Sequence, residues 1–153
     1  MDSKKLAFKI AELALTKKAE DVKVLDLRKL TPIADFFVIC TAHSDPQVKA
    51  IADAILEGSK ELGERVWHKE GMTQKSWILL DYVDVVVHIF LRDTRTFYGL
   101  EKLWGDAVIT DVNDEPAAKT KAGVTGKIQV KTQVKTQVKP KTAVKKPKAK
   151  TKK

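Results

Sequence analysis

At 153 residues the chain has room for one domain of ordinary size, and its formal charge of +9 at first invites a nucleic-acid reading of the whole. The charge is unevenly placed: residues 116–153 hold 13 lysines and no acid, leaving 16 basic against 20 acidic residues before them, a net of −4, so a basic domain is excluded. The single cysteine, Cys40, excludes an internal disulfide, and no run approaches the roughly 18 apolar residues of a membrane span.

Ser3 reads as an N-cap, Leu6, Ile10, Leu13 and Ala14 recur at helical spacing, and Lys17 and Lys18 suit the negative end of the dipole, so a helix is predicted over 3–19. Val22, Val24, Leu25 and Leu27 form a strand that cannot pass Pro32, which lacks the N–H a ladder needs. Residues 35–41, apolar on both faces, read as a central strand with Cys40 buried in it. Ser44 or Asp45 caps a second helix with Pro46 in its first turn; Val48, Ile51, Ala52, Ile55, Leu56 and Leu62 are its buried stripe and Gly63 its stop. A short strand over 65–68 is expected to place Trp67 in the core. Residues 77–80 and 85–90 are two strand-length β-branched and aromatic runs around Asp81-Tyr82-Val83-Asp84, which makes a hairpin. Phe97, Leu100, Leu103 and Trp104 then predict a helix over 94–104, ended by Gly105. The order αββαβββα implies an α/β fold, a mixed sheet with helices packed on it.

The composition changes from about Val108, so the domain is bounded at 1–110 and residues 111–153 are read as a basic low-complexity tail. The tetrad Gln-Val-Lys-Thr begins at 129 and at 133 and returns as Gln137-Val138-Lys139-Pro140. Mutually repelling lysines, no aromatics and little apolar area to offset ordering entropy predict disorder there.

In the hairpin, alternation puts Trp77 and Leu79 on one face and Ile78 and Leu80 on the other, while Val86, His88 and Phe90 oppose Val85, Val87 and Ile89. Both faces are largely apolar and need cover, and the following helix can supply only part of it. His88 could be a metal ligand or general base, but no Cys, His or Asp partner stands at metal spacing on its strand, so it is read as packed and no metal or cofactor is expected. Asp81 and Asp84 could be paired metal carboxylates; three residues apart across a turn, they suit turn formation or a surface contact better. Arg95 and Glu101 are read as an ion pair or a solvated face.

Asp81-Tyr82, residues 84–90, Arg95, Phe97-Tyr98, Leu100-Glu101 and Leu103-Trp104-Gly105-Asp106 together resemble the signature of the ribosomal silencing factor (Iojap-like) family. Residues 34–39 and 47–53 are similar to its earlier blocks, so the resemblance spans about residues 4–107 in one collinear order. It implies a compact α/β domain related to the nucleotidyltransferase fold, usually a homodimer. It further implies a non-enzymatic translation repressor that binds the fourteenth protein of the large ribosomal subunit, on the intersubunit face, and blocks joining of the small subunit; a cytoplasmic location is expected separately, from the lone buried cysteine and the lack of a long apolar run. On that basis Trp77, Leu79, Asp81, Asp84 and His88 are candidates for binding the ribosomal protein, and Tyr98, Glu101 and Trp104 for a dimer or partner interface. Lys131, Lys135 and Lys139 are candidate ribosomal RNA contacts, since spread lysines bind phosphate without reading sequence. The competing reading is a small nucleotidyltransferase-like, nucleotide-binding enzyme, but no glycine-serine phosphate loop follows an early strand and no Asp-x-Asp pair is present at the hairpin. The family generally carries glycine where Val83 stands, so a turn of altered or strained geometry is expected there.

Overall fold

The structure, a computed structural model, describes residues 1–113. The tail candidates Lys131, Lys135 and Lys139, and the disorder expected around them, lie outside the described residues. In chain order the elements are α1 (Ser3–Leu15), β1 (Glu20–Asp26), β2 (Phe36–Ala42), α2 (Asp45–Glu61), β3 (His68–Glu70), β4 (Trp77–Asp81), β5 (Val85–Leu91), α3 (Arg92–Tyr98), α4 (Leu100–Leu103) and β6 (Val108–Val112). The strands form one six-stranded mixed sheet of order β3-β4-β5-β2-β1-β6, in which β2 and β5 run parallel and every other neighbouring pair antiparallel. The α/β architecture is the one the element order implied.

Helix α1 is capped by Asp2, whose carboxylate accepts from the Lys5 N–H, while Ser3 donates its hydroxyl to Asp35 at 2.8 Å instead. It stops at Leu15, earlier than expected, because the chain turns at Lys18 with a φ of 65°. The Gln47 side chain then donates to the carbonyls of Lys17 and Lys18, tying the end of α1 to the start of α2. Ser44 caps α2 by accepting from Gln47 N–H, as its position suggested.

Both helices cover one face of the sheet. Leu6, Ile10, Val48, Ile51 and Ile55 meet Val24, Val38, Cys40, Ile78, Leu80, Val85, Val87 and Ile89 in a continuous core. Each such large side chain contributes about 1.5–3 kcal/mol by leaving water, which makes this layer the main source of stability. Burial pushes the Cys40 thiol up to about 12, so it is an inert packing group.

Four further expectations need correction. Leu62, expected in the buried stripe of α2, is the C-cap of that helix and is 40% exposed. Trp67 is 71% exposed: β3 is a three-residue edge strand, exposed throughout, that begins at His68, so the tryptophan before it stands at the sheet edge with its ring 5.9 Å from that of His68. The helix expected over 94–104 is broken at Gly99, whose left-handed conformation (φ 53°, ψ 47°) ends α3 and turns the chain into α4. Finally β6, absent from the expected order, pairs antiparallel with β1, buries Val112 and places Asp111 in an ion pair with Lys23. It runs across the domain boundary expected at residue 110.

Candidate partner-binding site

The sheet face away from α1 and α2 is closed at one end only. Strand alternation brings Trp77, Leu79 and Asp81 of β4 beside Phe90, His88 and Val86 of β5, and the parallel neighbour β2 adds Phe37 next to Val86 and Ile39 next to His88. Phe90 and Ile39 are fully covered, with Leu25 and Leu27, by the α3–α4 segment and its Leu100 and Trp104. Trp77, Leu79, Phe37 and Val86 stay half-buried. The aromatic rings are in mutual contact: Trp77 lies 4.9 Å from Phe90 and 4.6 Å from Tyr98, and Phe37 meets His88 edge-on at 4.6 Å and Trp104 at 5.9 Å. The start of β4 is set by Gly71, where a Cβ would stand 2.0 Å from the Trp77 carbonyl oxygen and φ is +81°; only glycine lets the loop pass that close.

His88 is 4% exposed, and the Trp77 indole N–H donates to its Nδ1 at 3.2 Å. Nδ1 therefore acts as the acceptor and the ring's proton sits on Nε2. Burial pushes the imidazole down to about 4, so it is neutral near pH 7. Nε2 finds no acceptor among the described residues. A nitrogen that carries the proton has no lone pair for a metal, and no group of three His, Cys, Asp or Glu among the described residues could hold one.

The hairpin tip explains the aspartates. Asp81 accepts the Val83 N–H on its own carboxylate at 2.7 Å, Tyr82 N–H donates to the Val85 carbonyl at 2.8 Å, and Asp84 N–H returns to the Tyr82 carbonyl at 3.0 Å. That last bond closes a three-residue γ-turn centred on Val83, whose φ of +77° is the strained, rare form of such a turn. Asp81 is thus a turn former, with its side chain half-buried, and Asp84 stands exposed at the tip. The Asp84 carbonyl accepts from the N–H groups of Asp35 and Phe36, which fastens the hairpin to β2, and the buried Tyr82 hydroxyl bonds Ser59 of α2 at 2.8 Å.

On the other side of the face, Tyr98 is exposed against Trp77, and Trp104 is half-buried against Phe37. Glu101 is held by Arg95, whose Nε and Nη2 donate to one of its carboxylate oxygens at 2.8 and 2.5 Å. Nη1 of the same buried guanidinium donates to the Asp21 carbonyl and to Thr41 Oγ1, both at 2.7 Å. The ion pair, one of the two outcomes anticipated for Arg95 and Glu101, clamps the α3–α4 elbow onto β1 and β2. Two residues of the predicted helical stripe, Phe97 and Leu103, are 80% and 71% exposed, because the break at Gly99 turns them out of register with the core. Phe97 and Tyr98 line an open cleft of about 520 Å³ between α3 and the start of β4, floored by Trp77. Phe37, Phe97 and Leu103 were not singled out as surface residues by the sequence; apolar side chains in strand and helix patterns read as core.

The fold and this face define a small α/β domain that presents a cluster of aromatic side chains on a half-covered sheet, with an apolar helical elbow beside it. The family profile described as ribosomal silencing factor during starvation matches residues 1–151. The chain is 45% identical over 112 residues to the ribosomal silencing factor RsfS of Bacillus subtilis, covering 72% of this chain and 95% of that protein. It is 40% identical over 112 residues to the chloroplastic protein Iojap of Arabidopsis thaliana, covering 70% of this chain and 45% of that longer protein. Among solved structures it is similar to a Chromobacterium violaceum protein with a TM-score of 0.67 at 34% identity, covering 69% of this chain and 88% of the other. The chain belongs to the ribosomal silencing factor family. No helix among the described residues is long and apolar enough to cross a membrane.

Proposed function

We propose that the protein is a non-enzymatic translation repressor of the cytoplasm that binds the large ribosomal subunit through its half-covered sheet face and blocks joining of the small subunit. The observation that carries this is the face itself: Trp77, Leu79, Phe37 and Val86 are half-exposed, and Trp77 is continuous with exposed Tyr98 and Phe97, an apolar surface of the kind that marks a protein contact. The contact proposed is with the fourteenth large-subunit ribosomal protein, in line with the family. Trp77, Leu79 and His88 meet the partner directly; Asp81 shapes the turn that presents Asp84 to it. Tyr98 and Trp104 extend the contact or serve pairing of two copies, while Glu101 supports them through Arg95. Lysines of the tail, Lys131, Lys135 and Lys139 among them, add a sequence-independent contact with ribosomal RNA. Cosedimentation of the purified protein with free large subunits tests the reading. Binding to large but not small subunits is expected, and cosedimentation with small subunits alone would overturn it.

A further inference from the structure

The buried donor on His88 is the feature of the face that packing leaves unexplained. Its ring is fixed from below by strand β5 and from the side by Trp77, whose indole N–H holds Nδ1 at 3.2 Å and so commits the only ring proton to Nε2. That Nε2–H is shielded from water and meets no acceptor among the described residues, an arrangement that folded proteins rarely keep without a use. The ring belongs to the face that α3 and α4 leave partly open. Two of its neighbours there, Phe37 in edge contact and Leu79 directly across the ladder, are themselves only half-buried.

We propose that the His88 Nε2–H is a donor held ready for an uncharged carbonyl oxygen of the protein that docks on this face. The inference rests on the partner-binding reading above and specifies what the partner must present. A carboxylate fits less well: the imidazole is neutral and ringed by Phe37, Trp77 and Phe90, and Asp81 on the same face of the sheet supplies a like charge. A main-chain or amide carbonyl brings no charge to desolvate and satisfies the donor as water is expelled. Trp77 then has two functions, an apolar contact for the partner and the hydrogen bond that sets the tautomer of its neighbour.

The test uses a pair of full-length variants. In His88→Asn the side-chain oxygen takes the place of Nδ1 and still accepts from Trp77, but nothing reaches the position of Nε2. In His88→Gln the amide N–H reaches that position. Affinity for large subunits should fall about tenfold in His88→Asn, the loss expected for one buried donor, and should largely return in His88→Gln. Equal affinity of His88→Asn and the unchanged protein, or a His88→Gln variant as weak as His88→Asn, would overturn the proposal. Failure of the unchanged protein to bind large subunits at all would overturn the partner-binding reading with it, so the two failures are distinguishable. Should a variant fail to fold, the ring proton of the unchanged protein answers the question by nuclear magnetic resonance with the isolated fourteenth large-subunit protein as probe. A downfield, slowly exchanging Nε2–H signal in the complex is expected, and a signal that does not move on binding contradicts it.

Discussion

Val83 occupies the centre of a γ-turn at φ +77° with its side chain 56% exposed, so replacing it by glycine removes strain while giving up little buried area. A β-branched residue held at positive φ costs roughly 1–3 kcal/mol. Glycine returns roughly 0.4–1 kcal/mol of that through the greater freedom it gives the unfolded chain. The turn's hydrogen bonds all survive, because Val83 contributes to them only its backbone N–H, held by Asp81, and its neighbours' main-chain groups. The net expectation for Val83→Gly is a gain of about 1 kcal/mol, which in a domain of this size raises the melting temperature by about 4 °C. Val83→Ala keeps the positive φ and loses only the branching, so it should gain much less. Thermal unfolding followed by far-ultraviolet circular dichroism reads both. A Val83→Gly protein that melts at or below the temperature of the unchanged one would refute the assignment of strain to this turn.

The buried His88 makes stability depend on pH: its folded value near 4 lies below the ordinary 6.5, so the unfolded chain takes up the proton first. Stability is therefore full above pH 6.5 and is lost as pH falls towards 4, by about 3 kcal/mol from this group, and urea titrations at pH 7 and 4.5 should show a smaller difference in His88→Asn. Arg95→Met strands the Glu101 carboxylate, the Asp21 carbonyl and Thr41 Oγ1 together, so a loss of about 3 kcal/mol in denaturant titrations is expected, and a loss under about 0.5 kcal/mol would contradict the clamp. Deleting residues 116–153 should leave the melting temperature unchanged but weaken binding to large subunits and flatten its salt dependence; superimposable salt titrations of the two proteins would remove the RNA contact from the account.

Much of this architecture could be read along the chain because its signals are local. The Ser44 cap, Pro46 and the stripe from Val48 to Ile55 mark α2 unambiguously, and the two β-branched runs around residues 81–84 mark the hairpin and the face each side chain takes. The strain at Val83 was legible only through the resemblance, whose family generally carries glycine there; a β-branched residue resists the positive φ that glycine implies. What was not legible depends on distant partners. Strand β6 is a half-exposed edge whose alternation is weak, and only its pairing with β1 makes it a strand. Trp67 reads as core by composition, yet nothing in its own stretch reveals that β3 is the outermost strand. Arg95 meets Thr41 and Asp21, residues 54 and 74 positions away, so its clamp exists only in the folded sheet. The same holds for the His88 nitrogen that finds no partner among the described residues, which depends on the ring's neighbours from β2 and β4.

The most direct measurement of the central claim is a subunit-joining assay, in which purified small and large subunits are mixed with increasing amounts of this protein and resolved on a sucrose gradient. The fraction of joined ribosomes should fall as the protein accumulates on the large-subunit peak, and Trp77→Ala, which removes the aromatic anchor of the face, should need at least about thirtyfold more protein for the same effect. Joining that proceeds undiminished while the protein saturates the large subunits would contradict the account.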